Sequence, residues 1–167
     1  MKKYINLLLI ALISLTACSK KEYNGSDREV FEEGTKLFKE QKFPMAVIQY
    51  EKITKDFPKS DYYPKSLMEL GTIYNAKLIT TLSKEDNLHK AVYYFKKVYN
   101  EFPVSTHAEQ AVFLTGFIYA NEFKNLDSAR ITYNLFLEKF PNSQFAASVK
   151  AELQNLGKSP DQVIDKK

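Results

Sequence analysis

The chain has 167 residues, of which 44% are hydrophobic and 26% charged, values that favour one globular domain or a short repeat array. A single cysteine excludes an intramolecular disulfide framework and a zinc site built from several cysteines. The formal net charge is +4, and the lysines are scattered among Asp and Glu rather than clustered, which argues against nucleic-acid binding.

The first residues have the pattern of a bacterial export signal. Lys2 and Lys3 precede an uncharged, mostly aliphatic run, which is shorter than the roughly 20 apolar residues that span a bilayer. The run ends in the sequence Leu15, Thr16, Ala17 and Cys18. This ending resembles the lipobox of bacterial lipoproteins. A plain secretory signal with an incidental cysteine, or an N-terminal membrane anchor, is the alternative.

The resemblance implies a signal peptide at 1–17, lipidation of Cys18 and a tether at 18–26. Attachment by more than one acyl chain is stable. Ser19 follows the cysteine, whereas proteobacterial lipoproteins retained at the inner membrane carry Asp there. We therefore expect the protein to be anchored at the periplasmic side of the outer membrane. Sorting rules differ between bacterial groups, so inner-membrane retention stays open.

The remainder of the chain contains a threefold repeat. An aromatic-Pro-x-Ser motif recurs at 57–60, 102–105 and 140–143. In each repeat a glycine is followed by a tyrosine or leucine, then by an alanine with an aromatic four residues later, then by proline. The residues predicted to pack the repeats are Gly34, Ala46, Tyr50, Pro58, Gly71, Tyr74, Ala91, Phe95, Pro103, Gly116, Tyr119, Ala129, Tyr133 and Pro141.

Each residue type in this pattern has a mechanical reason. Glycine and alanine are small, so two antiparallel helices can approach closely there, and the aromatic rings fill the space between helices. Proline ends the second helix of each pair because it cannot continue the hydrogen-bond ladder. The serine two residues later is placed to cap the next helix.

The order of these residues resembles the tetratricopeptide repeat (TPR). The resemblance implies an all-α fold: a right-handed superhelix of three helix-turn-helix repeats plus a C-terminal capping helix. The predicted TPR domain is 27–158, with repeats at about 27–60, 61–105 and 106–143, a capping helix at 144–157 and a flexible tail at 159–167.

Repeat 2 is longer than the others, and its extra residues lie within 77–87. We expect a longer first helix and a polar hairpin around 83–87. The insertion is either part of a binding surface or a tolerated loop extension.

The sequence shows no carboxylate pair, Ser-His-Asp set, phosphate loop or metal-ligand spacing. We therefore predict that the chain is not an enzyme and has no catalytic residue, metal site, cofactor or small-molecule substrate. A TPR stack implies a groove lined by the first helices, which would bind an apolar or amphipathic protein segment. The alternative is that the same side chains only pack against neighbouring helices. The TPR groove positions correspond to Phe31, Thr35, Phe38, Met68, Thr72, Asn75, Phe113 and Phe117.

A lipobox followed by TPRs with aromatic-Pro-x-Ser junctions resembles the β-barrel assembly lipoprotein family of the outer membrane (BamD-like). It also resembles the C-terminal TPR domain of the Tol-Pal-associated periplasmic protein YbgF, also called CpoB. The first resemblance implies a protein-protein interaction scaffold in outer-membrane protein assembly, with the β-barrel assembly machinery as partner. The second implies a role with Tol-Pal or cell-wall components in envelope organisation or division.

Overall fold

The structure is a computed structural model that describes residues 26–158. The described chain is helical, without strands, so the prediction of an all-α fold is confirmed. The lipobox residues 15–18 and the tail 159–167 lie outside the described residues. The elements are α1 (Asp27–Lys39), α2 (Phe43–Asp56), α3 (Tyr63–Asn75), α4 (Lys84–Glu101), α5 (Thr106–Phe117), a π-helical turn (Ile118–Glu122), α6 (Leu126–Lys139) and α7 (Ala146–Asn155).

Consecutive helices pack as three hairpins. Helix α1 packs on α2, α3 on α4 and α5 on α6, and each hairpin also packs on the next. Helix α7 packs on α6 at the end of this stack. None of the helices from 26 to 158 is both long and apolar enough to cross a membrane.

A glycine of the first helix meets an aromatic ring of the second helix in each hairpin. The pairs are Gly34 with Tyr50, Gly71 with Phe95 and Gly116 with Tyr133. A Cβ atom at Gly116 would lie 2.5 Å from Cε1 of Tyr133, so only a hydrogen fits between the two helices. The alanines four residues before these rings are fully buried, as Ala46, Ala91 and Ala129.

The other repeated residues lie at the edges of the hairpins. Tyr74 is buried, with its ring stacked 5.7 Å from that of Tyr94, and Tyr119 is half-buried with its ring 6.0 Å from that of Phe123. The three repeated prolines are exposed and follow directly on the C-caps of α2, α4 and α6, as Pro58, Pro103 and Pro141.

The prediction of a serine cap after each proline holds for one of the three junctions. The Ser105 hydroxyl accepts a hydrogen bond from the backbone N–H of Ala108 and caps α5. At the other two junctions the prediction is wrong. The hydroxyls of Ser60 and Ser143 each accept from the N–H two residues later, at 3.0 and 2.9 Å. Each forms a separate turn before α3 or α7 begins.

The predicted longer first helix in repeat 2 is also wrong. Helix α3 has 13 residues, whereas the second helix, α4, has 18. The reason lies at Lys77, whose backbone φ of 58° is left-handed and stops the helix. Residues 76–83 then form a loop, and the predicted hairpin at 83–87 is the N-terminal turn of α4, capped by Ser83.

This loop is held against the stack by one buried side chain. Asn87 in the first turns of α4 is 1% exposed. Its Nδ2 donates hydrogen bonds to the carbonyl oxygens of Ile79 and Ser83, each at 3.0 Å. Ile79 is itself part of the hydrophobic core. The insertion is therefore a packed part of the fold.

The π-helical turn lies in the third hairpin, between α5 and α6, and contacts the second hairpin through charged side chains. It ends at Glu122, whose carboxylate accepts from Nζ of Lys77 at 2.8 Å and lies 2.9 Å from Nζ of Lys84. The hydrogen bonds from these two lysines hold the pKa of the Glu122 carboxyl below its usual value. The second and third hairpins are thus joined by charge as well as by packing.

Helix α7 covers the end of the hydrophobic core. Val149 is fully buried, and the ring of Phe145 stacks on Phe113 of α5 with centroids 5.8 Å apart. The helix ends at Asn155, followed by Gly157 with a φ of 84°, a conformation that favours glycine.

Candidate functional site

The first helices of the three hairpins enclose a hollow of about 320 Å³, which we call the first-helix groove. Helices α1, α3 and α5 each contribute to its wall, since successive hairpins stack with their first helices on the same side. The groove is lined by Phe31, Lys65, Met68, Glu69, Thr72, His107 and Gln110.

Three of the predicted groove residues lie in this hollow. Phe31 is half-buried and stacks on Tyr62, with ring centroids 4.8 Å apart. Met68 is only 6% exposed, so most of its side chain packs in the core. Thr72 is exposed and is the most accessible of the three. Phe31 and Met68 thus both pack against the core and line the groove.

Three others lie beside the groove. Thr35 shares a second, more open hollow with Phe31, and its hydroxyl donates to the carbonyl of Phe31 at 3.0 Å. Phe38 is half-buried and meets Phe43 of α2 edge to face, with centroids 5.5 Å apart. Asn75 is half-buried at the end of α3.

The predicted residues of the third hairpin do not line the hollow. The ring of Phe113 lies against Phe145, the residue directly before α7, and 6.4 Å from Phe136 of α6, so the start of α7 covers it. Phe117 is 41% exposed but is not among the residues of the hollow. The third hairpin instead contributes His107 and Gln110 from the beginning of α5.

The sequence reasoning missed Glu69, the most informative polar residue of the groove. Its side chain is half-buried, and desolvation raises the pKa of its carboxyl group. Among residues 26–158 it makes no hydrogen bond or ion pair, and the nearby Lys65 ammonium lies over the ring of Tyr62, 5.0 Å from its centroid. A carboxylate in this setting can accept hydrogen bonds from a bound molecule.

A signal for Glu69 is present in the spacing. Lys65, Glu69 and Thr72 are separated by four and three residues, so they lie on one face of α3. The TPR pattern assigns groove positions within each first helix, and Lys65 and Glu69 are not among them.

The groove has the features of a binding surface on a helical scaffold. Within the part of the chain that the structure describes, no group of three His, Cys, Asp or Glu residues could hold a metal ion. The groove offers the apolar side chains of Phe31 and Met68, one unpaired carboxylate and exposed hydroxyl and amide groups. These features define the class: an all-α scaffold of stacked helical hairpins.

Comparison with known families gives the particular group. The chain belongs to the YfiO family of outer membrane lipoproteins, whose model matches residues 23–159. It is thus a lipid-anchored protein at the periplasmic side of the outer membrane, and the predicted BamD-like relationship and location are confirmed. The family is one of non-catalytic scaffolds. No curated protein matches the chain.

Proposed function

We propose that the chain is a TPR scaffold in the assembly of β-barrel proteins of the outer membrane. The observation that carries the proposal is the first-helix groove, in which the unpaired Glu69 carboxylate lies beside the apolar side chains of Phe31 and Met68. Membership of the outer membrane lipoprotein family supports the setting.

The finer architecture is part of this proposal. The three hairpins correspond to TPRs at about 27–60, 61–105 and 106–143, arranged as a right-handed superhelix, and α7 caps the third. Cys18 carries the lipid, and 18–26 tethers the domain to the membrane. The contacts between glycine and aromatic ring inside each hairpin support this assignment, because close helix approach at a glycine is what the repeat pattern requires.

The groove suits an extended protein segment. Phe31 and Met68 offer apolar surface, while Glu69 offers a hydrogen-bond acceptor on the same wall. Strands of outer-membrane barrels alternate apolar and polar side chains. A nascent barrel strand can thus place apolar side chains on Phe31 and a donor group, such as a lysine, an arginine or a backbone N–H, on Glu69.

A crosslinking experiment in the native envelope tests this function. A photo-reactive residue at Thr72 lies in the groove, and the same residue at the exposed Asn100 of α4 serves as control. We expect crosslinks from Thr72, and not from Asn100, to a β-barrel insertase or to unfolded barrel proteins. Crosslinks from Asn100 alone, or none to assembly components, would refute the proposed function.

A charge substitution tests the part assigned to Glu69. The Glu69→Gln variant removes the charge without changing the size, and Glu138→Gln at an exposed position of α6 is the matched control. A hydrogen bond to a charged group contributes about 1.5–3 kcal/mol, so the Thr72 crosslink should weaken strongly in Glu69→Gln only. Equal yields in both variants would mean that the carboxylate does not contact the partner.

The alternative function is envelope organisation with Tol-Pal or cell-wall components. The observation that favours it is the number of hairpins, since three repeats is the number in the Tol-Pal-associated protein. The same Thr72 crosslinks would then identify Tol-Pal or cell-wall enzymes, and depletion would cause division defects rather than loss of barrel proteins.

A further inference from the structure

Four polar side chains converge on the first-helix groove without a partner inside the folded chain. They come from two walls, Glu69 and Thr72 from α3 and His107 and Gln110 from α5. None of these side chains makes a hydrogen bond or an ion pair with another group of residues 26–158. Their hydrogen-bonding capacity is thus available to a molecule that enters the groove.

The lysine one helical turn before Glu69 does not neutralise its carboxylate. Lys65 stands four residues earlier on α3, a spacing at which a lysine and a glutamate can pair. The Lys65 ammonium instead lies over the ring of Tyr62, 5.0 Å from the ring centroid. Desolvation raises the pKa of the Glu69 carboxyl group, so its charged form is short of favourable contacts in the folded chain. A cation from a partner would supply them.

The size and the lining of the hollow suit one long side chain. Its volume of about 320 Å³ is at the low end of the roughly 300–1,000 Å³ of ligand pockets. Phe31 is half-buried and forms an apolar part of the wall, and Glu69 forms a charged part. A side chain with an apolar stem and a charged end matches this division, since the stem can lie on Phe31 while the end reaches Glu69.

The distribution of acceptors favours a guanidinium over an ammonium. Glu69 offers two carboxylate oxygen atoms, Thr72 a hydroxyl oxygen and Gln110 an amide oxygen. Because these acceptors lie on two helices, a planar group with five N–H donors can use both walls, whereas an ammonium has its three donors at a single point. A guanidinium is also more weakly hydrated, which makes it easier to bring beside a half-buried carboxylate.

We propose that the first-helix groove contains an arginine subsite, in which an arginine of the partner segment binds the Glu69 carboxylate and lays its stem on Phe31. The remaining N–H groups of this arginine donate to Thr72 and Gln110. The inference rests on the proposed function, since it requires that the groove holds an extended segment, and it deepens that function by naming the side chain that is selected. An acidic side chain at the same place in the segment would face the charge of Glu69 and be disfavoured.

A double-variant cycle with short peptides tests the subsite. The probe is a fluorescein-labelled peptide of alternating valine and serine, blocked at both ends, with one arginine at its centre. A second probe carries citrulline there, which has the shape of arginine without its charge. Binding to the acylated chain in dodecyl maltoside is followed by fluorescence anisotropy. We expect citrulline to weaken binding by about tenfold or more for the unchanged chain and for the exposed control Glu138→Gln, but by less than about threefold for Glu69→Gln.

The same assay provides the results that would refute the subsite. Failure of the arginine probe to bind the unchanged chain, or an equal effect of citrulline on the unchanged chain and on Glu69→Gln, overturns the proposal. A probe with lysine at the centre that binds as tightly as the arginine probe overturns the preference for a guanidinium. Tighter binding of a probe with glutamate at the centre would mean that Lys65 and His107 bind an acidic group, which also overturns the proposal. Circular dichroism of both variants checks that they are folded.

The Thr72 crosslinks of the proposed function read out separately from the peptide cycle. Crosslinks to assembly components, combined with equal binding of the arginine and citrulline probes, would support the proposed function and refute only the arginine subsite. Arginine-specific binding that depends on Glu69, without such crosslinks, would support the subsite and refute the role in barrel assembly.

Discussion

Replacing Gly71 by alanine tests the contact between α3 and α4. A Cβ atom at this position would lie 2.6 Å from Cδ1 and 3.0 Å from Cζ of Phe95. The Phe95 ring is fully buried and cannot swing into solvent. Adding a methyl group to a filled core costs about 1–3 kcal/mol.

The sign of the effect is informative because two contributions oppose each other. In an open helix position the same change would stabilise the protein by about 1 kcal/mol, since alanine is the better helix former. With the steric contribution we expect a net loss of up to about 2 kcal/mol in the free energy of unfolding. For a domain of this size that corresponds to a fall in Tm of up to roughly 8 °C.

Thermal unfolding followed by circular dichroism measures this change. Thr72→Ala, one residue further along α3 and exposed, is the control and should leave the Tm unchanged or slightly higher. The double variant Gly71→Ala with Phe95→Leu should lose less stability than the sum of the single variants, because the smaller side chain leaves room for the methyl group. A higher Tm for Gly71→Ala would refute the close contact.

The remaining predictions concern the insertion, the charge link and the anchor. Asn87→Ala should lose about 1–3 kcal/mol of stability and speed amide exchange at 79–83, whereas the exposed Asn100→Ala should change stability by less than about 0.5 kcal/mol. Because the pKa of Glu122 is lowered in the folded state, its carboxylate contributes stability above pH 4.5, and this contribution is lost as the pH falls through the folded-state pKa. We therefore expect Glu122→Gln to reduce the acid sensitivity of the free energy of unfolding by less than about 1 kcal/mol. An unchanged pH profile of stability would contradict the ion pairs of Glu122 with the two lysines. Cys18→Ala should abolish palmitate labelling and leave an unprocessed or released protein, and normal labelling would disprove the anchor.

The sequence predicts the helical framework well because its signals are local. Gly71 of α3 meets the buried Phe95 of α4, and the other two hairpins have a glycine and a tyrosine at the equivalent positions. Each of these contacts requires only that two neighbouring helices pack together. Ser105 caps its helix through a contact three residues away. Such features depend on short spacings. The contact between glycine and aromatic ring occurs in all three hairpins, whereas the serine cap forms at one junction of the three.

The features that the sequence did not reveal depend on non-local contacts. The Lys77 ammonium donates to the Glu122 carboxylate of another hairpin, a contact between residues 45 positions apart in the sequence. The burial of Glu69 arises only when α1 and α5 pack beside α3. Phe113 occupies a groove position in the repeat pattern, yet α7 covers it.

Helix α7, at the end of the stack, also bears on self-association. The side of α7 that faces away from the stack presents small or polar side chains, among them the exposed Ala147, Ser148, Ala151 and Gln154. A hairpin stack that displayed Phe113 and Phe136 at its end would offer an adhesive apolar surface to the first hairpin of another molecule. Because Phe145, directly before α7, stacks on Phe113 and α7 packs on α6, we expect this end of the stack not to polymerise end to end, which would be a hazard for proteins tethered at high local density on one membrane.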